Sequence, residues 1–184
     1  LYAIGMAFLE SAVVVYIREL LYPEGFDFPL STMEGSLAIT EILRELATLV
    51  MIVAVAFISG RSFSSRFAWF LYVFAIWDIF YYVFLKLLLD WPESLHTWDV
   101  LFLIPTTWTG PVLTPVLVSL IMILFALLIL KKAERDGESV IRPLHWILLI
   151  AGSLILIWAW VLDYSRFMLR HLSLGEMLQA DNPE

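Results

Sequence analysis

The chain has 184 residues, of which 61% are hydrophobic and only 16% charged, where ordinary soluble domains carry roughly a quarter of their residues as charges. Its formal net charge of −7 offers no basic face for nucleic acid, and the absence of cysteine excludes disulfides, thiol redox chemistry and thiolate metal sites. The apolar residues gather in blocks of about 20, the length that carries an α-helix across ~30 Å of hydrocarbon, so an all-α polytopic membrane bundle of about five spans is predicted.

The predicted spans are Leu1–Tyr22, Ser36–Ser59, Phe67–Leu89, Pro111–Leu130 and Pro143–Leu162, and the bundle as a whole occupies residues 1–163. The first block opens the chain directly, so an initiator and a short leader are expected upstream. It does not read as the remnant of a signal peptide, because it holds Glu10, Arg18 and Glu19 and lacks a small-residue cleavage site. Many of the eight Trp and seven Tyr stand near block ends, where aromatic belts form at membrane interfaces. Between spans three and four, Val100–Ile104 is apolar but too short to cross, and Trp91–Gly110 reads as an interfacial or re-entrant segment. In span four Pro115 is a candidate kink and the uncharged surface predicts packing, while Gly152-Ser153 in span five suggests a close-approach point for another helix. The tail Tyr164–Glu184 reads as an outer amphipathic helix or as a frayed end.

Charge sorts the connections. Arg61 and Arg66 lie between spans two and three, and Lys131, Lys132, Arg135 and Arg142 between spans four and five. Pro23–Gly35 and Asp90–Gly110 contain neither Lys nor Arg. The positive-inside rule then predicts a plasma or inner membrane protein with a cytoplasmic N-terminus and an outer C-terminus, against which only Arg166 and Arg170 in the tail weigh.

Ionisable groups inside hydrocarbon cost at least ~2.5–3.5 kcal/mol each on insertion scales, so each asks for a reason. Counted from the outer end of its span, Glu10 lies roughly 18 Å deep and Asp78 about 16 Å, with Glu45 and Thr48 at comparable depths in span two. Three spans therefore bring acids to the outer half of the bilayer. In span two, Glu41, Arg44, Glu45 and Thr48 recur at i, i+3, i+4 and i+7, a single helix face that must look at protein or water. Asp78 is followed by Tyr81 and Tyr82, whose hydroxyls are natural partners for a buried carboxylate.

Two explanations compete for these charges: a structural ion-pair network among Glu10, Arg18, Arg44, Glu45 and Asp78, and an outward-facing cation or proton site. In the second, Glu10, Glu41, Glu45 and Asp78 bind the metal ion or proton, with Arg18, Arg44 and Tyr82 as charge partners. A third pattern, Glu93-x-x-His96 followed by Asp99, has the i,i+3 spacing of carboxylate-bridged di-metal bundles, and points to Fe, Mn or Zn in a redox metalloenzyme. Only one copy of that motif is present, and Pro92-Glu93 also fits an ordinary helix start. Heme is disfavoured, because among His96, His145 and His171 no facing pair sits at one depth. No glycine-flanked Ser elbow or Gly-rich phosphate loop supports hydrolysis or nucleotide binding. The small size leaves a final alternative, an accessory subunit of a larger membrane complex, and five spans would suit a homo-oligomer better than a complete transporter. Lipid is the one partner that composition demands.

Overall fold

The computed structural model describes residues 1–22, 35–104, 106–136 and 141–171. Five helices, α1 (Tyr2–Leu21), α2 (Gly35–Ser59), α3 (Phe63–Leu89), α4 (Leu113–Asp136) and α5 (Pro143–His171), enclose a two-stranded hairpin, β1 (Trp98–Phe102) and β2 (Trp108–Pro111). Among the described residues α2, α3, α4 and α5 are long and apolar enough to cross a membrane by length and composition. The chain is thus an all-α integral membrane bundle. The shorter α1, of 20 residues, carries Glu10, Arg18 and Glu19 and lies against α3.

The helices run past the predicted blocks because polar residues cap them. Ser62 and Ser65 form a reciprocal capping box that starts α3 four residues before Phe67. Just before it, a Cβ on Gly60 would meet the Arg66 backbone at 2.5 Å, so the tight α2–α3 connection requires glycine there. At the other end α3 stops at Asp90, whose left-handed φ of 52° an aspartate tolerates better than most residues. Lys86 fixes that end by donating to the Asp90 and Pro92 carbonyls at 3.0 and 3.1 Å. The helical part of the predicted tail continues α5 through His171; residues 172–184 lie outside the described residues, as do residues 23–34.

α3 is the hub on which α1, α2 and α4 pack. Small residues permit the approach: Ala3 and Ala7 of α1 join Met6, Ile52, Val73 and Trp77 in one buried cluster, and Ala68 meets Ala126 in another. Contacts between α1 and α3 ascend together, from Ala7 near Trp77, through Ser11 at the Tyr81 carbonyl, to Arg18 over Trp91, so the two helices run parallel. Leu71 near Ala126 and Asp78 at Ser119 make α3 and α4 antiparallel. The hairpin and the α1–α2 connection therefore share one end of the bundle, and the Arg/Lys-rich connections share the other.

The segment 91–110, read from sequence as re-entrant or interfacial, is built on the antiparallel β1–β2 hairpin. Asp99 pairs with Gly110 and Val100 with Thr109, and a bulge separates Val100 from Phe102. Two further backbone bonds, Val112 N–H to the Thr97 carbonyl and Leu113 N–H to the Leu95 carbonyl, tie the hairpin to the start of α4. Its backbone polar groups are thus satisfied by itself and by the bundle, the condition for non-helical chain near a membrane.

α5 stands apart. It touches the bundle through Trp146 against Phe63 and Phe67, and through Trp160 stacked on Trp108 at 5.8 Å. The close approach in this helix is made onto Gly110, where a Cβ would meet the Trp160 ring at 3.1 Å. Gly152, expected from sequence to receive a neighbouring helix, has open space over it, so within the chain that expectation is corrected.

Candidate functional site

The polar stripe of α2 turns inward, onto α1, α3 and the underside of the hairpin. Glu41, Glu45 and Thr48 are buried, as the i, i+4 and i+7 spacing requires of one protected face, while Ile42, Leu43 and Leu46 are exposed on the other. Arg44 is the centre of this group. Its Nε and Nη2 donate to the same Glu41 oxygen at 2.9 and 2.8 Å, and its Nη1 makes an ion pair with Glu10 of α1. Thr48 donates to the other Glu10 oxygen.

Glu45, one residue on, reaches the hairpin. Both of its oxygens lie 3.0 Å from the Leu103 backbone nitrogen, so a carboxylate on a helix receives an N–H that the bulged strand leaves unpaired. A second polar tie joins α3 to α4, where Ser119 donates to Asp78 at 2.8 Å. A third joins α1 to β1: Arg18 lies 3.4 Å from Asp99 with its guanidinium 3.7 Å above the Trp91 ring, and the Tyr82 hydroxyl stands beside the same carboxyl. Burial pushes the Asp99 carboxyl up to about 6, opposed by Arg18, the Val100 N–H and Tyr82.

These side chains surround one cavity of about 60 Å³, lined by Glu10, Arg44, Glu45, Thr48, Asp78 and Tyr82 among others. A water occupies about 10–15 Å³ on this measure, so the cavity admits a few waters and is far below the several hundred Å³ of an organic-ligand pocket. The Trp77 ring is also part of its wall, and among the described residues the buried Trp77 Nε1 and Asp99 Oδ2 have no hydrogen-bond partner.

The structure therefore brings together Glu10, Glu41, Glu45, Asp78, Arg44 and Tyr82, and places Arg18 with Asp99 directly beside them. It does not bring the third sequence pattern together. Glu93 and His96 are exposed in a turn, not on a helix, so their i,i+3 spacing does not put them on one face. Asp99 follows on a strand, buried toward Arg18. Among the described residues no group of three or more His, Asp or Glu is arranged to hold a metal ion. Ser119 is the residue that sequence reading missed: a lone Ser in an uncharged span looks like packing, and its only signal was a depth close to that of Asp78.

No family model matches the chain, and no curated protein or solved structure is similar to it.

Proposed function

We propose that this integral membrane protein binds protons in the carboxylate, arginine and tyrosine cluster beneath the hairpin, on the outer side of the membrane. The observation that carries the reading is a charge imbalance. Five carboxyl groups, the buried Glu10, Glu41, Glu45 and Asp99 and the half-buried Asp78, face two guanidiniums, Arg18 and Arg44, among the described residues. Ionised together they leave three negative charges uncompensated in a space walled by apolar side chains. Isolated buried charges of that kind cost far more than a fold can absorb, and such groups neutralise instead. The missing positive charge is supplied by protons or by a cation.

Protons are favoured over a metal ion. The carboxyls are occupied by Arg44, Thr48, Leu103 and Ser119, not turned toward a common point. Metal ligation by Glu93, His96 and Asp99, and with it the redox metalloenzyme reading, lacks a shared centre. The outer connections, which hold neither Lys nor Arg, and the basic opposite end support a cytoplasmic N-terminus and an outer C-terminus. The cavity then lies nearer the outer surface.

The test is infrared spectroscopy of the purified protein at neutral pH, with elemental analysis alongside. Protonated-carboxyl bands that disappear in Glu45→Gln/Asp78→Asn, the two carboxyls without a guanidinium bond, are expected. Fully ionised carboxyls, or one bound Fe, Mn or Zn per chain, would overturn the reading. A second function, as a subunit of an oligomer or larger complex, is favoured by α5, none of whose apolar crossing window is buried within the chain. Its mass in mild detergent tests this directly.

A further inference from the structure

We propose that the groove between α4 and α5, at the arginine- and lysine-rich end of the bundle, is a binding site for one anionic phospholipid. The groove has a volume of about 410 Å³ and is walled by Phe125, Leu128, Ile129 and Leu148, with Lys132 and His145 also in its lining. Its polarity runs along the helix axes. Lys132 stands in the last turns of α4 and His145 in the first turn of α5, so both hydrogen-bond donors mark the same membrane edge. Phe125 is seven residues before Lys132 and Leu148 three after His145, roughly 10 Å and 5 Å deeper at the helical rise. An anionic head at the edge with an apolar tail reaching inward matches that order.

The histidine is oriented for the head. Its Nδ1 accepts the Arg142 backbone N–H at 3.1 Å, so a neutral ring carries its proton on Nε2 and presents a donor. Lys132 adds a full positive charge, and a phosphodiester accepts from both. Over 131–142 the basic residues Lys131, Lys132, Arg135 and Arg142 outnumber Glu134, Asp136 and Glu138 by one, so a net positive charge remains there for an anion. The apolar part is open because α5 meets the bundle through ring contacts at Trp146 and Trp160, which are about four turns apart. An acyl chain fills what a side chain does not. This site is remote from the acidic cluster and independent of what that cluster binds.

The full chain, delipidated in mild detergent and given back dioleoyl-phosphatidylglycerol or dioleoyl-phosphatidylcholine, tests the proposal by native mass spectrometry. One phosphatidylglycerol per chain is expected to survive collisional activation that strips phosphatidylcholine. Lys132→Ala/His145→Ala should lower the retained lipid at least tenfold. Leu148→Trp, which fills the groove and keeps Lys132 and His145, should lower it as well, while Lys131→Ala should stay within twofold of the parent. Equal retention of the two lipids, undiminished binding by the double variant, or a loss in Lys131→Ala as large as in the double variant would overturn it. So would a lipid-free dimer that Leu148→Trp dissolves, because the groove would then belong to a second copy.

Discussion

The two sides of α3 solve the same packing problem by different physics. Toward α1, α2 and the hairpin the contacts are directional: Arg44 with Glu10 and Glu41, Glu45 with the Leu103 N–H, Arg18 with Asp99. Toward α4 and α5 they are mostly apolar, with Asp78–Ser119 as the polar exception. In lipid, apolar surfaces gain little by leaving one hydrocarbon environment for another, so close packing and polar bonds must specify the arrangement. The acidic side is accordingly closed around a cavity of about 60 Å³, and the apolar side leaves α5 standing over a groove of about 410 Å³. Specificity here follows the charges, and openness follows their absence.

The sharpest way to break that contrast is to remove its central cation. Arg44→Met leaves Glu10 and Glu41 without their ion-pair partner, and a loss of about 3–5 kcal/mol is expected from such orphaned buried charge. Thermal unfolding in detergent measures it, and adding Glu10→Gln and Glu41→Gln should return much of the loss. If Arg44→Met alone melts like the parent, the network does not specify the acidic side.

The hairpin gives the next largest effect. Asp99 has an ordinary carboxyl value of 3.8 and sits at about 6 when folded. A raised carboxyl value means that the folded chain holds the proton more tightly than the unfolded chain does. The destabilisation is therefore absent below about 4, grows as pH rises through 6, and is complete above it, reaching on the order of 3 kcal/mol at most. Unfolding followed from pH 4 to 8 should show that decline, and Asp99→Asn should flatten it. A decline that survives the substitution would assign it to another group.

Smaller effects sharpen the boundary between the sides. Ser119→Ala removes a hydrogen bond to a carboxyl and should cost about 1.5–3 kcal/mol if Asp78 is charged, nearer 1 kcal/mol if it is neutral. Comparing Ser119→Ala in the parent and in Asp78→Asn separates the two. On α5, Gly152→Ala meets nothing within 4 Å and, replacing a helix-interior glycine, should leave stability unchanged or raise it by up to about 1 kcal/mol. A loss, or a change in mass, would reveal a partner seated on that face.

The helices were legible in the sequence because each is a block of the length that a bilayer imposes. Most of their ends were legible too, to within a residue or two; the start of α3, set by the Ser62 cap, and the extensions of α4 and α5 past Leu130 and Leu162 were not. The acidic side was legible for a related reason: the 41–48 stripe fixes one face of α2, and a constant rise per residue puts Glu10 and Asp78 at comparable depth. The hairpin escaped because its strands are five and four residues long, and pairing such as Asp99 with Gly110 leaves no helical or membrane-length periodicity. The same omission hid the link between Arg18 and Asp99, 81 residues apart, and let Glu93-x-x-His96 be read with a helical period where the backbone turns. Nothing in composition announces which lone Ser of an apolar span will find a carboxyl.

The charges of α1 bear on biogenesis. A helix holding Glu10, Arg18 and Glu19 enters a bilayer reluctantly by itself, and the groups that neutralise it, Arg44 and Asp99, are synthesised only later. The charges of α1 therefore meet their partners only once α2 and the hairpin are in place, and a chain cut short before β1 would lack the Asp99 carboxyl that Arg18 meets.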